Sequence, residues 1–224
     1  EGLPRSYYAD NNQVEYEISG NSVRFIQEIQ EKNGYQCEFT VTLAENSSDV
    51  TVQHKVTNTG LWEVELAPWA LTVLSQGGVE IIPQPVADTG LLGNRLLALW
   101  PYTKMTDKRV IWGDRYIQLK QDPDVSEAFK FGINSEHGFS MYFNHGDLFV
   151  KKFDVIENGN YPDGGMSFET YTCANFLEME SLGELKKIKP GESACHTEKW
   201  TLCKCDAPEK FDEEKIDELV KKVI

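Results

Sequence analysis

The chain of 224 residues carries 36 acidic and 22 basic side chains, which gives a formal net charge of -14. Nucleic acid is therefore not expected as a partner, because phosphate contacts require clustered Lys and Arg. An anionic membrane surface is disfavoured by the same charge, and no apolar run reaches the length of a membrane span. The length suits one large β domain or two small ones.

Short alternating runs of apolar and polar residues fill the first third of the chain, after a loop-like segment at residues 1–13. Alternation with a period of two is typical of strands that bury one face. Asn33-Gly34 is a dipeptide typical of tight hairpin turns. Strands are predicted at residues 13–19, 22–30, 35–43, 50–57 and 62–66.

The rest of the chain continues this ladder until its last residues. Further strands are predicted at 79–82, 95–102, 109–118, 129–133, 138–144, 148–153, 167–173, 175–182 and 194–204. The number and spacing of these runs indicate an all-β, antiparallel sandwich. Ile216, Leu219 and Val220 follow a helical period instead, with Asp212 as a candidate N-cap. We expect a sandwich domain over 1–208 and a short C-terminal helix over 209–224 packed on it.

The five cysteines give no metal signature. Cys203 and Cys205 are spaced too tightly for a zinc knuckle, and no second pair accompanies them. We expect mainly structural thiols, no metal and no cofactor. No signal peptide is visible, so the chain is expected to be cytoplasmic unless a leader was removed.

The predicted strand at 175–182 places two carboxylates side by side. Glu178 and Glu180 share one face with Phe176 and Leu182, because successive side chains point to opposite faces. Adjacent carboxylates repel, and burial would raise at least one pKa. That environment suits proton transfer at a sugar or similar polyol. The alternative is that one Glu faces water at a sheet edge, or that both are salt-bridged.

The chain has five stretches, at residues 56–60, 67–69, 178–180, 189–192 and 196–202, that together resemble galactose mutarotase-like proteins over about Val14 to Leu202. The resemblance implies a β-supersandwich with a sugar site on a concave sheet face. It also implies Glu180 as the general base that takes the proton of the anomeric hydroxyl. The similar stretches are Val56–Gly60 with Ala67–Trp69, Glu178–Glu180, Lys189–Glu192 and His196–Leu202, and uncharacterised bacterial members share Trp100–Tyr102, Trp112–Tyr116, Leu148–Lys151 and Tyr161–Gly165.

The chain departs from the mutarotase pattern on the acid side. Trp69 stands where those enzymes have a His, so the proton donor would be His137, His145 or Lys151, or be absent. Glu169 is a further candidate, because it would lie near Glu180 if the strands at 167–173 and 175–182 pair. Family members also carry additional N-terminal strands, some of which we expect to be missing here.

Aromatic and basic residues supply candidate sugar contacts. Trp69 and Trp100 could stack on sugar C–H faces, although plain core packing is the alternative. Lys130 and Lys151 lie in apolar strands and could neutralise Glu180 or bind an anionic sugar, or instead extend to the surface. The candidate substrate-binding residues are Trp69, Trp100, Lys130, Lys151, Tyr171 and Glu178, and the candidate catalytic residues are Glu180, Glu169 and His137.

The sequence thus predicts a carbohydrate-binding or sugar-epimerising protein with a carbohydrate or sugar-derived ligand. A non-catalytic carbohydrate-binding sandwich is the first alternative, favoured by Trp69 at the His position. A structural or partner-binding sandwich with a vestigial pocket is the second. Convergence of Glu169, Glu180, Lys151 and a Trp in one concave pocket would separate these possibilities.

Overall fold

The computed structural model describes residues 11–208 and 210–224, and shows two antiparallel sheets packed face to face. The described strands are β1 (Glu15–Ser19), β2 (Ser22–Ile26), β3 (Tyr35–Leu43), β4 (Val50–Asn58), β5 (Val64–Leu66), β6 (Trp69–Leu74), β7 (Val79–Pro83), β8 (Leu97–Leu99), β9 (Val110–Trp112), β10 (Tyr116–Lys120), β11 (Phe129–Ile133), β12 (Phe139–Asn144), β13 (Asp147–Phe153), β14 (Phe168–Thr172), β15 (Leu177–Leu182), β16 (Lys186–Ile188) and β17 (Ser193–Lys204). The described helices are α1 (Pro162–Gly165), a single turn, and α2 (Glu213–Val223).

The two sheets differ in size. The large sheet has ten strands in the order β1-β2-β3-β4-β17-β13-β12-β7-β10-β9, and the small sheet has five in the order β6-β15-β14-β11-β8. A separate ribbon pairs β5 with β16. The predicted all-β, antiparallel sandwich with a short C-terminal helix is confirmed. No helix among the described residues is both long enough and apolar enough to span a membrane.

Apolar side chains from both sheets fill the space between them. Phe129, Phe131, Phe168, Leu177 and Met179 are all fully buried there. They come from the inward positions of β11, β14 and β15, as the alternation of strand side chains requires. A second apolar cluster lies on the other face of the large sheet, where α2 packs through its buried Ile216.

Helix α2 begins at a capped N-terminus. The Asp212 side chain accepts hydrogen bonds from the backbone N–H groups of Glu214 and Lys215, as the sequence predicts. The carboxylate of Glu213 accepts from the backbone N–H groups of Arg115 and Tyr116. These bonds fasten the helix to the turn between β9 and β10.

Polar groups also lie between the sheets. Nζ of the fully buried Lys151 is 2.7 Å from a carboxylate oxygen of Glu198 on the same sheet. The same ammonium donates to the backbone carbonyls of Ala70, at 3.0 Å, and Met179, at 2.8 Å, and to Thr72 Oγ1. Lys151 therefore joins the large sheet to β6 and β15 of the small one.

Several predicted boundaries are corrected. The strand predicted at 109–118 is two strands, because the chain turns at residues 113–115 where α2 docks. The strand predicted at 22–30 ends at Ile26, since the chain turns back where the N–H of Gln30 donates to the carbonyl of Tyr35. The strand predicted at 95–102 is confined to β8, because the N–H of Thr103 closes a turn on the carbonyl of Trp100.

One strand was not predicted from the sequence. Residues 186–188, between the strands predicted at 175–182 and 194–204, form β16 and pair with β5. Strand β16 has only three residues, two of them lysines, so alternation along it carries little signal. Residues 1–10 of the predicted loop and residue 209 of the predicted helix lie outside the described residues.

Candidate functional site

The outward face of the small sheet carries charged residues on three adjacent strands. Glu180 on β15 lies directly opposite Glu169 on β14, and Glu178 lies directly opposite Tyr171. Lys130 on β11 lies opposite Tyr171 on the other side of β14. Because the intervening residues point into the core, the strand period brings these polar groups onto one face.

Lys130 lies at the centre of this group. Its Nζ is 2.8 Å from an oxygen of Glu169 and 2.8 Å from an oxygen of Glu180. The indole N–H of Trp69 donates to the same Glu180 oxygen at 2.7 Å. The ammonium also lies 4.9 Å from the ring centroid of Trp69 and 4.5 Å from that of Trp100. We call these five residues the Lys130 cluster.

Burial shifts the ionisation of the cluster. It raises the pKa of Glu169 to about 7, although the hydrogen bond and the charge of Lys130 act in the opposite direction. It also raises the pKa of Glu180, against Lys130 and the Trp69 N–H. Burial would lower the pKa of Lys130, but the two carboxylates outweigh it and raise that pKa. The cluster therefore keeps a charged lysine and one carboxyl that titrates near neutral pH.

Each carboxyl keeps one oxygen without a partner. Oε1 of Glu169 and Oε1 of Glu180 are buried, and neither has a hydrogen-bond partner among the described residues. A buried acceptor that lacks a donor costs free energy comparable to a lost hydrogen bond. The hydrogen-bonding capacity of the two carboxyls is therefore only partly used among the described residues.

A pocket of about 380 Å³ lies over the cluster. Trp69, Trp100, Lys130 and Glu169 line it, whereas Glu180 is fully buried beneath. The volume is within the range of small-molecule sites, which reaches from roughly 300 to 1,000 Å³. We call this opening the Lys130 pocket.

The turn α1 adds a carboxylate to the rim of the Lys130 pocket. Asp163 lines the pocket and has a φ of 51°, and Gly164 follows with a φ of 83°. Left-handed backbone at a non-glycine residue costs free energy and occurs often at functional sites. The Pro-Asp-Gly-Gly sequence signals such a turn, but sequence reasoning assigned Asp163 no role. Glu65 on β5 also lines the pocket and carried no sequence signal.

Five predicted site residues converge, and the others lie elsewhere. The convergent residues are Glu169, Glu180, Trp69, Trp100 and Lys130. Tyr171 and Glu178 share the outward face but do not line the Lys130 pocket.

Lys151 does not reach the pocket. Its strand β13 belongs to the large sheet, so its side chain enters the interior and ends at Glu198. His137 precedes β12 and contacts Gln84, Glu136 and Phe139, none of which lines the Lys130 pocket. His145 occupies the turn between β12 and β13, near Ser75. These positions follow from which sheet each strand joins, and the sequence did not predict that.

Comparison with solved structures identifies the fold. A galactose mutarotase-like protein from Lactobacillus casei superposes with a TM-score of 0.56 at 13% identity, over 85% of this chain and 72% of that one. A candidate aldose 1-epimerase from Klebsiella pneumoniae gives 0.57 at 14% identity, over 94% and 56%. A TPR-domain containing protein from Parabacteroides distasonis gives 0.55 at 13% identity, over 91% and 38%.

These similarities show that the chain has the galactose mutarotase-like fold, as its sequence resemblance predicted. The chain spans 38% of the Parabacteroides protein and 56% of the Klebsiella protein. Neither a family model nor a curated protein matches the sequence. The shared fold does not by itself determine activity.

Proposed function

We propose that the Lys130 pocket binds a free sugar and interconverts its anomers. The observation that carries the proposal is the carboxyl of Glu169, which lines a pocket bounded by two Trp rings and has one oxygen without a partner among the described residues. Sugar C–H faces stack on aromatic rings, and sugar hydroxyls donate to carboxylates. The fold shared with mutarotase-like structures supports the same chemistry.

Glu169 is the better candidate for the proton-transfer group. Its pKa of about 7 leaves both forms populated at neutral pH, so it can both accept and return a proton. The family resemblance implied Glu180 instead. Glu180 is fully buried, and one of its oxygens accepts from both Trp69 and Lys130. In this proposal Glu180 is a positioning residue that holds the Lys130 ammonium in place.

Residues of the Lys130 cluster account for every proton that moves in the proposed reaction. Glu169 takes the proton of the anomeric hydroxyl, the bond between the anomeric carbon and the ring oxygen breaks, and Lys130 protonates that oxygen. Glu169 then returns its proton to Lys130 across their 2.8 Å contact. The aldehyde turns over and recloses by the reverse steps to give the other anomer.

Anomer exchange by saturation-transfer NMR, over a panel of free aldoses and uronic acids, tests this proposal. The Glu169→Gln variant should bind the sugar and lose the acceleration. Glu178→Gln is the matched control, because Glu178 shares the face but does not line the pocket. If no sugar exchanges faster with the wild type, or if Glu169→Gln remains fully active, the catalytic proposal fails.

Non-catalytic sugar binding is the second candidate. It is favoured because both carboxylates are already engaged by Lys130, and no histidine is among the described residues that line the pocket. It predicts binding without exchange, lost in Trp69→Ala. If no sugar in the panel shows binding or exchange, a sandwich that binds a protein partner is favoured instead.

A further inference from the structure

A second pocket lies beside the Lys130 pocket, across the chain segment that follows β8. Its volume is about 960 Å³. Trp100 lines the Lys130 pocket, whereas the next four residues, Pro101 to Lys104, line the second one. The loop before β9, the end of β10 and the turn before β11 complete its lining. We call it the Arg109 pocket.

The lining of the Arg109 pocket is basic for so acidic a chain. Four basic residues and three acidic ones line it, in a protein with a net charge of -14. Two of the acids are already paired, since Asp107 binds Arg109 and Asp122 lies 3.2 Å from Lys120. The basic residues are Lys104, Lys108, Arg109 and Lys120, and the acidic residues are Asp107, Asp122 and Glu127.

Arg109 is held rigidly in this lining. Its Nε and Nη2 donate to the two oxygens of Asp107, at 3.0 and 2.9 Å, and Nη2 also donates to the carbonyl of Glu127 at 2.8 Å. The guanidinium lies 5.8 Å from the ring centroid of Phe129. A guanidinium fixed in this way loses little freedom when its remaining edge binds a ligand.

That remaining edge has no partner. Arg109 is only 3% exposed, and its Nη1 is buried with no hydrogen-bond partner among the described residues. Phosphate and carboxylate oxygens are the acceptors that guanidinium groups bind most strongly. Lys104 and Lys108 are exposed at the same pocket and add positive charge.

We propose that the Arg109 pocket binds a small organic oxyanion, a phosphate or a carboxylate. Nη1 of Arg109 donates to the anion, and Lys104 and Lys108 contribute charge. Pro101, Tyr102 and Val125 supply apolar contacts for the organic part. The proposal does not depend on sugar chemistry, because none of these residues lines the Lys130 pocket.

Calorimetric titration with two probes, inorganic phosphate and citrate, tests this site and separates the two oxyanion classes. Backbone amide shifts should localise binding to residues 101–109 and 120–128. The Lys104→Gln, Lys108→Gln double variant should weaken binding by about tenfold or more, because it removes two charges from exposed positions. Glu127→Gln is the control of opposite sign and should tighten binding about threefold, because it removes an acidic group from the lining.

The site would be refuted if neither probe bound, if the amide shifts mapped to other residues, or if the double lysine variant bound the probes as tightly as the wild type does. Sugar binding at the Lys130 pocket, measured on the same double variant, should be unchanged. Failure of this site and failure of the sugar proposal are therefore distinguishable.

Discussion

Glu169 and Glu180 face each other directly across β14 and β15, and each has an oxygen 2.8 Å from the same lysine nitrogen. Like charges in such a cross-strand pair are destabilising. The positive charge of Lys130 offsets part of this repulsion, but a single positive charge cannot neutralise two carboxylates. Burial then raises the pKa of both acids, and that of Glu169 reaches about 7.

Replacing Lys130 with Met should raise the pKa of Glu169 further, because the variant keeps the burial and loses the opposing charge. We expect an upward shift of about one unit or more, together with weaker sugar binding. Carbon-13 NMR titration of the glutamate side chains measures the shift. Lys187→Met, on the exposed ribbon strand β16, is the control. An unchanged Glu169 titration in Lys130→Met would contradict the assigned role of the lysine.

The anomer exchange proposed above should depend on pH through Glu169. The group acts as a base and must be ionised, so the rate should rise as pH increases through about 7. In Lys130→Met the rise should move to higher pH in any residual activity. A rate that is flat between pH 5 and about 9 would remove Glu169 from the mechanism.

Stability should fall with pH because of Glu80. This residue is fully buried between the sheets and accepts hydrogen bonds from Ser140 and Thr170, and burial raises its pKa from 4.5 to about 8. The folded protein therefore holds a proton that the unfolded chain releases above about pH 4.5. This contribution is fully present below that pH and is lost as pH rises through about 8.

Glu80→Gln should remove this dependence, because the amide has no proton to release. The free energy of unfolding, measured with urea, should fall less between about pH 5 and about pH 8 in the variant than in the wild type. The difference between the two falls should be about 1 kcal/mol or more. Glu169 contributes with the same sign and remains in both proteins. Identical pH slopes for the variant and the wild type would refute the assignment to Glu80.

The ion pair of Lys151 and Glu198 should be costly to break from one side. Burial favours the neutral form of Glu198, but the imidazole of His54, 3.5 Å away, and the charge of Lys151 outweigh it and lower that pKa to about 2. Lys151→Met leaves this carboxylate buried without its main charge partner, and should cost about 3–5 kcal/mol. Urea unfolding of Lys151→Met, Glu198→Gln and the double variant gives the coupling energy. Additive effects would show that the pair is not coupled.

Docking of α2 should depend on Gly113. A Cβ at this position would lie 2.6 Å from Cζ of Phe211 and would also meet the Glu213 carboxylate. We expect Gly113→Ala to cost about 1–3 kcal/mol and to speed hydrogen exchange in α2. Gly93→Ala is the matched control, because a Cβ there meets nothing within 4 Å. Unaltered exchange in α2 would mean that the turn is not what fixes the helix.

Strand alternation was enough to predict part of the site. It placed Glu178 and Glu180 on one face, and the expected pairing of the next strand brought Glu169 opposite Glu180. It could not predict which of Lys130 and Lys151 lies at the pocket and which lies between the sheets. Each has apolar neighbours, and only the sheet to which its strand belongs decides which face is internal. The contact of Trp69 with Glu180 also depends on pairing between residues 111 positions apart.

Other parts of the site have no periodic signal. Asp163 reaches the pocket through a turn of left-handed residues, and Arg109 reaches its own pocket from an irregular loop. Periodicity describes residues within regular elements, whereas these positions depend on how loops pack against them. The family resemblance supplied the supersandwich, and the residue contacts had to come from the structure.

The ammonium of Lys151 restricts how the pocket can change. It donates hydrogen bonds to the carbonyls of Ala70 and Met179, and these two residues are adjacent in the chain to Trp69 and Glu180. The pocket floor is therefore anchored from the interior of the sandwich. Substitutions at the pocket rim leave these two hydrogen bonds in place. A substitution at Lys151 would remove both and so disturb the backbone next to an aromatic wall and a carboxylate together.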